Sequence, residues 1–126
     1  LYAVTQNGTI RWTFDAGAPI DSSPAVAQDG RICFGCNDGN LYCLTLSGDL
    51  DWVYATGGMV RSSPLIKDGV VYVGTDRGGA MALDARDGKT LWETRLGLPI
   101  YAPPAAVGGA VIFVDMAGTV YAFGGR

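Results

Sequence analysis

The sequence contains no histidine and only one glutamate, Glu93, among its 126 residues. Without histidine, a Ser-His-Asp triad, a C-x-x-C-H haem attachment and a Cys₂His₂ zinc site are all excluded. A single glutamate also excludes a pair of glutamates for general acid–base catalysis. We therefore predict no catalytic, cofactor-binding or metal-binding residue in this chain.

Charged side chains are scarce as well, at 17% of the chain, with nine basic and twelve acidic residues and a net charge of −3. Low charge combined with 48% hydrophobic residues excludes an intrinsically disordered chain. No run of basic residues is present, which argues against a nucleic-acid partner. No apolar run approaches the ~20 residues that a transmembrane helix requires, so no transmembrane segment is predicted.

A signal peptide is not visible either, because no positively charged segment precedes an apolar stretch. The sequence starts at Leu1, inside what looks like a strand. The simplest interpretation is a piece of a longer protein, whose localisation cannot be read from this end.

Glycine, in contrast, is abundant, with 19 residues, and 6 prolines accompany it. The glycines do not fall at every third position, which excludes collagen. A chain rich in glycine and β-branched residues and poor in lysine and glutamate predicts an all-β fold with many tight turns.

Three kinds of residue recur with a period of 40 residues. The three columns are Trp12, Trp52 and Trp92; Gly8, Gly48 and Gly88; and Pro24, Pro64 and Pro104. The period slips by one residue at the turn 84–87, which is one residue longer than the equivalent turns earlier in the chain. A regular period of this length indicates a repeat architecture.

Each unit of the repeat divides into four short strands separated by turns. In one unit the strands are expected within 59–66, at 70–74, at 80–83 and at 90–95. Four antiparallel strands every ~40 residues are the signature of a β-propeller blade. We predict thirteen strands, in four parts: the end of one blade at 1–17, blades at 18–57 and 58–97, and an incomplete blade at 98–126.

The periodic residues have structural roles in such a fold. A large flat side chain on the outer strand can wedge between adjacent blades, and burial of each indole would contribute a few kcal/mol. The glycine column closes the hairpin before the tryptophan strand. We predict that six residues dock the blades to one another: Trp12, Trp52, Trp92, Gly8, Gly48 and Gly88.

Residues 82–92 read A-x-D-x-x-x-G-K-x-x-W, and shorter forms with Thr5 and Thr45 in place of the aspartate end at the two earlier tryptophans. Ser-Ser-Pro at 22–24 and 62–64 precedes two of the predicted inner strands. In these motifs the whole chain resembles the pyrroloquinoline-quinone-type (PQQ-like) β-propeller repeat family. The resemblance implies a ring of six to eight blades around a channel, of which this chain would form about three.

The same repeat occurs in enzymes and in non-enzymatic scaffolds, so the resemblance leaves the function open. The first hypothesis is a non-catalytic scaffold that binds protein or ligand, similar to bacterial propeller lipoproteins that help to assemble outer-membrane proteins. That analogy implies a periplasmic or cell-envelope location, with a protein or the remaining blades as partner. The alternative is a fragment of a PQQ-dependent quinoprotein dehydrogenase, and only this alternative implies PQQ and calcium. A third hypothesis is a self-standing structural module.

One set of equivalent positions varies in chemistry where the rest of the repeat is regular. Asp21, Arg61 and Tyr101 lie 40 residues apart, just before the predicted inner strands. In a propeller these positions are near one mouth of the channel, where an acid, a base and an aromatic would suit contact with a ligand or partner. The competing explanation is that exposed positions simply vary without a function.

The three cysteines, Cys33, Cys36 and Cys43, are too few for a four-cysteine metal site and lie in predicted strands. We interpret them as small apolar core residues. Cys43 aligns in the repeat with alanines, and Cys33 aligns with Tyr72 and Phe113.

Three further motifs are explained by turns. Gly88-Lys89-Thr90 has Leu83 where a phosphate-binding loop requires glycine. The sequon at Asn7 coincides with an Asn-Gly hairpin turn. The acidic turn residues Asp84, Asp87 and Asp38 do not provide the roughly six oxygen ligands that calcium requires, and hydrogen bonding within the turns is expected instead.

Overall fold

A computed structural model describes residues 1–124. The described chain contains strands and turns but no helix, so it includes no helix that could cross a membrane. Thirteen strands follow one another: β1 (Tyr2–Val4), β2 (Ile10–Thr13), β3 (Ala25–Val26), β4 (Ile32–Gly35), β5 (Asn40–Leu44), β6 (Leu50–Ala55), β7 (Leu65–Lys67), β8 (Val70–Gly74), β9 (Gly79–Asp84), β10 (Thr90–Arg95), β11 (Ala105–Val107), β12 (Ala110–Val114) and β13 (Val120–Gly124).

The strands form four antiparallel sheets in chain order. The first sheet contains β1 and β2, the second β3–β6, the third β7–β10 and the fourth β11–β13. Within each sheet every strand pairs with the next one in the sequence, and the four sheets do not close into a ring. The predicted all-β propeller architecture is therefore confirmed, and so is the predicted number of strands.

The strand registers repeat from sheet to sheet. Trp12 is paired with Ala3, Trp52 with Cys43 and Trp92 with Ala82. A β-bulge adjoins each of these pairs. The alignment of Cys43 with the alanine column is thus confirmed by the pairing.

The predicted alignment of Cys33 with Phe113 is wrong. Cys33 pairs with Cys43, and the equivalent pairs in the next two sheets are Tyr72 with Ala82 and Ile112 with Ala122. Ile112 therefore occupies the position expected for Phe113. Because successive side chains of a strand point to opposite faces, this error of one residue exchanges the two faces of β12.

The first strand of the third sheet begins near the end of the segment that was expected to contain it. That segment was 59–66, and β7 occupies only its last two residues and Lys67. Residues 59–64 form an irregular lead-in to the strand. The backbone N–H of Val60 in this lead-in donates to the carbonyl of Cys36 in the second sheet. Pro64 has no N–H to contribute to a ladder, so regular pairing begins after it.

The apolar core lies between adjacent sheets. One buried cluster joins the second sheet to the third, and its largest members include Leu41, Trp52, Val71 and Leu83. A second cluster, which contains Ile100 and Phe113, joins the third sheet to the fourth. Each four-stranded sheet therefore has apolar neighbours on its faces, which accounts for the low charge of the sequence.

Neighbouring sheets approach one another closely at the ends of their second strands. A Cβ added to Gly35 would overlap Val60, and one added to Gly74 would lie 2.7 Å from Cβ of Ile100. Neither glycine has a positive φ, so the requirement for glycine here is one of space alone. Val60 and Ile100 belong to equivalent lead-ins, and both are fully buried.

We expect Gly74→Ala to lower the free energy of unfolding by about 2–3 kcal/mol, because the added methyl group overpacks the contact with Ile100. Gly79→Ala, in the same sheet, is the control, since its Cβ would come no closer than 3.0 Å to another atom, Oγ1 of Thr75. Its cost should stay below about 1 kcal/mol. Urea unfolding of the full-length protein measures both, and equal costs would contradict the close approach.

Candidate functional site

The lead-in segments bridge neighbouring sheets through repeated backbone hydrogen bonds. Val60 N–H donates to Cys36 in the second sheet at 3.1 Å, and the carbonyl of Met59 accepts from Asp76 in the third sheet at 3.0 Å. The next lead-in repeats both bonds, from Ile100 N–H to Thr75 and from Met116 N–H to the carbonyl of Pro99. Each lead-in is thereby fixed between two sheets immediately before the position of Arg61 or Tyr101.

Serine side chains add a second set of links along the lead-ins. The Ser23 N–H donates to Oγ of Ser63 at 2.8 Å, and the Ser62 hydroxyl donates to the carbonyl of Ala102 at 2.9 Å. Both bonds join residues exactly one period apart, 40 positions along the chain. Ser62 is fully buried, so its hydroxyl is satisfied inside the contact between the third and fourth sheets.

The structure brings Asp21, Arg61 and Tyr101 together in a row across three successive sheets. Nε of Arg61 lies 3.8 Å from Oδ2 of Asp21, and the Arg61 guanidinium carbon lies 5.9 Å from the centre of the Tyr101 ring. The Asn37 amide donates to the same Asp21 oxygen at 2.9 Å. These contacts form an ion pair that continues into a cation–π contact.

The side chains of this row remain accessible to a partner. Arg61 and Asp21 expose 43% and 54% of their side chains, and Tyr101 is also exposed. An ion pair this exposed contributes about 0–1 kcal/mol to stability, since water screens it. Stability therefore gives little reason for these three chemistries to occupy equivalent positions.

A cavity of about 400 Å³ adjoins the row between the second and third sheets. Its lining includes the turn 37–40, the loop 57–59 and Asp76. Two buried oxygens, Oδ1 of Asn37 and Oδ1 of Asp76, have no hydrogen-bond partner among residues 1–124. They occupy equivalent positions in their sheets, so polar acceptors recur at this end of the sheets.

The turn that lines this cavity has a perturbed carboxylate. The Tyr42 hydroxyl and the Asn40 N–H both donate to Asp38. Burial by itself raises the pKa of Asp38, but these hydrogen bonds outweigh burial and leave the pKa below its ordinary value. The same bond to Asp38 raises the pKa of Tyr42. The carboxylate therefore stays charged in mildly acidic solution.

Two tryptophans of the predicted docking set contact glycines of the same set on the next sheet, a pairing that the sequence did not indicate. Nε1 of Trp12 donates to the carbonyl of Leu46 at 3.1 Å, and a Cβ on Gly48 would lie 2.5 Å from the Trp12 ring. Trp52 repeats the arrangement in the next sheet, donating to the carbonyl of Ala85 at 3.0 Å. A Cβ on Gly88 would lie 2.6 Å from the Trp52 ring.

The remaining two members of the predicted docking set have other surroundings. A Cβ on Gly8 would meet no atom within 4 Å in the part of the chain described, where no earlier sheet precedes it. The ring of Trp92 lies 5.1 Å from the ring of Phe123 and 6.3 Å from that of Phe113, both in the fourth sheet. Within residues 1–124, Trp92 therefore joins the third sheet to the fourth through aromatic contacts.

The turn that carries the family motif contains a charged cluster. The N–H and guanidinium of Arg86 donate to the carboxylate of Asp84. The hydrogen bond from the Arg86 side chain is the main cause that lowers the pKa of Asp84 to about 2. Gly88 N–H donates to the carbonyl of Asp84, four residues earlier, whereas Gly48 N–H donates to the residue three earlier. The predicted extra residue in this turn is therefore confirmed.

All three cysteines are fully buried and free. Within residues 1–124, no three histidine, cysteine, aspartate or glutamate side chains gather closely enough to hold a metal ion. A calcium-bound quinone requires such a group of oxygen ligands. The residues described here thus do not fit a calcium–quinone site.

The bridging role of the serines and of the buried lead-in residues Val60 and Ile100 was not predicted from the sequence. The sequence shows that Ser22 and Ser62 are 40 residues apart. This spacing does not indicate which neighbouring sheet accepts the hydrogen bond of each serine. Gly74 at the end of a predicted strand was the available signal for a close approach.

Successive four-stranded meanders with a 40-residue period place the chain in the class of β-propeller repeat proteins. The chain belongs to the family described as outer membrane protein assembly factor BamB, which matches residues 1–126. A search of curated protein sequences returned no match.

Solved structures show the same fold at low sequence identity. BamB from Moraxella catarrhalis is similar with a TM-score of 0.80 and 24% identity, over 92% of this chain and 37% of that one. Quinohemoprotein alcohol dehydrogenase from Comamonas testosteroni is similar with a TM-score of 0.75 and 22% identity, over 86% of this chain and 20% of that one. Quinohemoprotein alcohol dehydrogenase ADHIIG from Pseudomonas putida HK5 is similar with a TM-score of 0.78 and 23% identity, over 90% of this chain and 20% of that one. The chain thus spans well under half the length of these relatives.

Gly88→Ala should lower the free energy of unfolding by about 2–4 kcal/mol, because it combines a positive φ with overlap of the Trp52 ring. Gly69→Ala is the matched control: its φ of 76° nearly equals the 74° of Gly88, and its Cβ would meet nothing within 4 Å. We expect it to cost about 1 kcal/mol. Chemical unfolding of the full-length variants separates strain from overlap, and similar losses in both would argue against the indole contact.

Asp84 should make stability depend on pH between about pH 4 and pH 2. Its folded pKa of about 2 is below the ordinary value of 3.8, so its stabilising contribution is present above pH 4 and disappears as the pH falls through 2. Asp84→Asn should flatten this part of the curve of melting temperature against pH. A slope that Asp84→Asn leaves unchanged would contradict this role of the hydrogen bonds from Arg86.

Proposed function

We propose that this chain is a segment of a non-catalytic propeller scaffold that binds a protein partner, and that Asp21, Arg61 and Tyr101 belong to the binding surface. The observation that carries the proposal is the exposed row that these residues form across three sheets. A partner that crosses the sheets would meet a carboxylate, a guanidinium and an aromatic ring in succession. Arginine and tyrosine are enriched among residues that dominate protein interfaces.

The positions of the three residues support the same proposal. Their backbones are held by the repeated lead-in hydrogen bonds, while their side chains contribute little to stability. Rigid backbone with exposed, chemically diverse side chains is the arrangement that a binding surface requires. The family description adds a direction, since it names an outer membrane protein assembly factor. We extend the proposal to a partner in the assembly of outer-membrane proteins and to a location in the periplasm or cell envelope.

The predicted blade boundaries at residues 17/18, 57/58 and 97/98 remain part of this proposal. Each boundary falls in the irregular segment between one sheet and the next. Under the proposal, the docking residues Trp12, Trp52 and Trp92 keep the blades in fixed rotation relative to one another. The binding row is then continued by blades outside residues 1–126.

A quinoprotein dehydrogenase is the second candidate, because two alcohol dehydrogenases share the fold. It requires the full-length protein to bind PQQ with calcium and to oxidise an alcohol or sugar with reduction of a dye. Addition of PQQ and Ca²⁺ to the purified full-length protein, followed by absorbance and dye-reduction measurements, tests it. Quinone absorbance together with dye reduction would replace the scaffold proposal by the dehydrogenase.

The scaffold proposal predicts that Arg61→Ala impairs outer-membrane protein assembly while the protein remains folded. Cells that lack the full-length protein are complemented with wild type or variant, and the folded outer-membrane proteins in their membranes are quantified. We expect Arg61→Ala to reduce the complementation severalfold. Its melting temperature should change little, since the exposed ion pair contributes at most about 1 kcal/mol.

Lys89→Ala is the matched control for removal of a positive charge. Lys89 lies in the turn between β9 and β10, at the opposite end of the third sheet from the turn 75–78 that contacts the lead-ins. It should complement like wild type. If Arg61→Ala and Asp21→Ala both complement fully, the row is not a binding surface.

A further inference from the structure

Cys33 and Cys43 are directly opposite each other on neighbouring strands of the second sheet. Cys33 lies in β4 and Cys43 in β5, and the register pairs the two residues. Their Sγ atoms are 2.8 Å apart, although both are free thiols. The S–S bond of a disulfide is about 2.0 Å long, so closure requires a movement of less than about 1 Å.

The backbone at this pair also suits a covalent link. Cys36 N–H donates to the carbonyl of Asn40 at 3.0 Å, which marks a hydrogen-bonded position of the β4–β5 ladder. Because hydrogen-bonded and non-bonded pairs alternate, the pair Cys33–Cys43 is a non-bonded one, with Cα atoms about 4.5 Å apart. This separation is within the range of about 4.4–6.8 Å seen for disulfides.

The repeat does not require cysteine at either position. The equivalent pairs are Tyr72 with Ala82 in the third sheet and Ile112 with Ala122 in the fourth. A large residue faces a small one in both of these pairs, whereas the second sheet has two cysteines. Packing alone explains one small residue in this pair but not the replacement of its large partner.

We propose that Cys33 and Cys43 form a cross-strand disulfide when the chain folds in the presence of a disulfide oxidant. The thiolate of one cysteine attacks the disulfide of the oxidant, which releases one thiol and leaves a mixed disulfide. The second cysteine attacks the protein sulfur of that mixed disulfide and releases the other thiol of the oxidant. The two thiols lose two protons and two electrons in total. The oxidant accepts the electrons and leaves as two thiols.

The timing of the reaction follows from burial. Both cysteines are fully buried in the folded sheet. The hydrogen bond with Cys43 and burial raise the pKa of the Cys33 thiol, so little reactive thiolate exists after folding. The bond therefore forms before the neighbouring sheets cover β4 and β5.

Cys36 provides an internal control. Its Sγ is directed towards the carbonyls of Ala18 and Pro19, at 3.6 and 3.5 Å, in the lead-in of the second sheet. It lies immediately after the last residue of β4, three residues from Cys33. It remains a thiol in this proposal.

The test is peptide mapping of the full-length protein refolded from urea in a mixture of oxidised and reduced glutathione. Free thiols are alkylated in denaturant, and cleavage before aspartates then separates residues 29–37 from residues 38–48. We expect these two peptides to be recovered as a linked pair with Cys36 alkylated. A parallel refolding with reduced glutathione alone should give all three cysteines alkylated.

Two variants complete the design. Cys36→Ala should retain the linked pair, whereas Cys33→Ala should abolish it. The wild-type result is decisive even where a variant does not fold. Full alkylation of Cys33 and Cys43 after oxidative refolding, with the native circular dichroism restored, would overturn the proposal, and so would a link that involves Cys36.

Discussion

Neighbouring sheets of this chain approach so closely that the glycines at their contact points have no room for a side chain. At the strand ends, Gly74 faces Ile100 of the next lead-in, and at the opposite hairpins Gly88 faces the ring of Trp52. A sheet fixed at both ends can neither slide nor rotate against its neighbour without loss of buried apolar contact. The remaining features of the structure depend on this constraint, because it gives each sheet the same position relative to the one before.

Regular placement of the sheets turns a sequence period into a spatial row. Positions 40 residues apart recur at the same height on successive sheets, so Arg61 lies between Asp21 and Tyr101. The hydrogen bonds from Ser23 to Ser63 and from Ser62 to Ala102 are built on the same spacing. The side chains of such a surface can differ between proteins while the framework stays the same. For this reason one fold class can include both enzymes and assembly factors.

Much of the framework was predictable from the sequence, because turn glycines and β-rich segments are local signals. The thirteen strands and the longer turn before Gly88 came from such signals. The position of Phe113 in β12 was not predictable in this way. A shift of one residue in the repeat alignment leaves the composition of the strand unchanged, but it moves each side chain to the other face of the sheet. The approach of Arg61 to Asp21 follows from the rotation between sheets, which no local pattern encodes. The facing of Cys33 and Cys43 depends on hairpin register in the same way.

At two of the sheet contacts, a tryptophan on one sheet requires a glycine on the next: Trp12 with Gly48 and Trp52 with Gly88. A double-mutant cycle between Trp52→Ala and Gly88→Ala in the full-length protein tests it most directly, with urea unfolding as the readout. Without the indole, the alanine at position 88 should cost only the strain of its positive φ, about 1 kcal/mol. Additive costs for the two substitutions would contradict the account, because they would show that the two residues do not constrain each other.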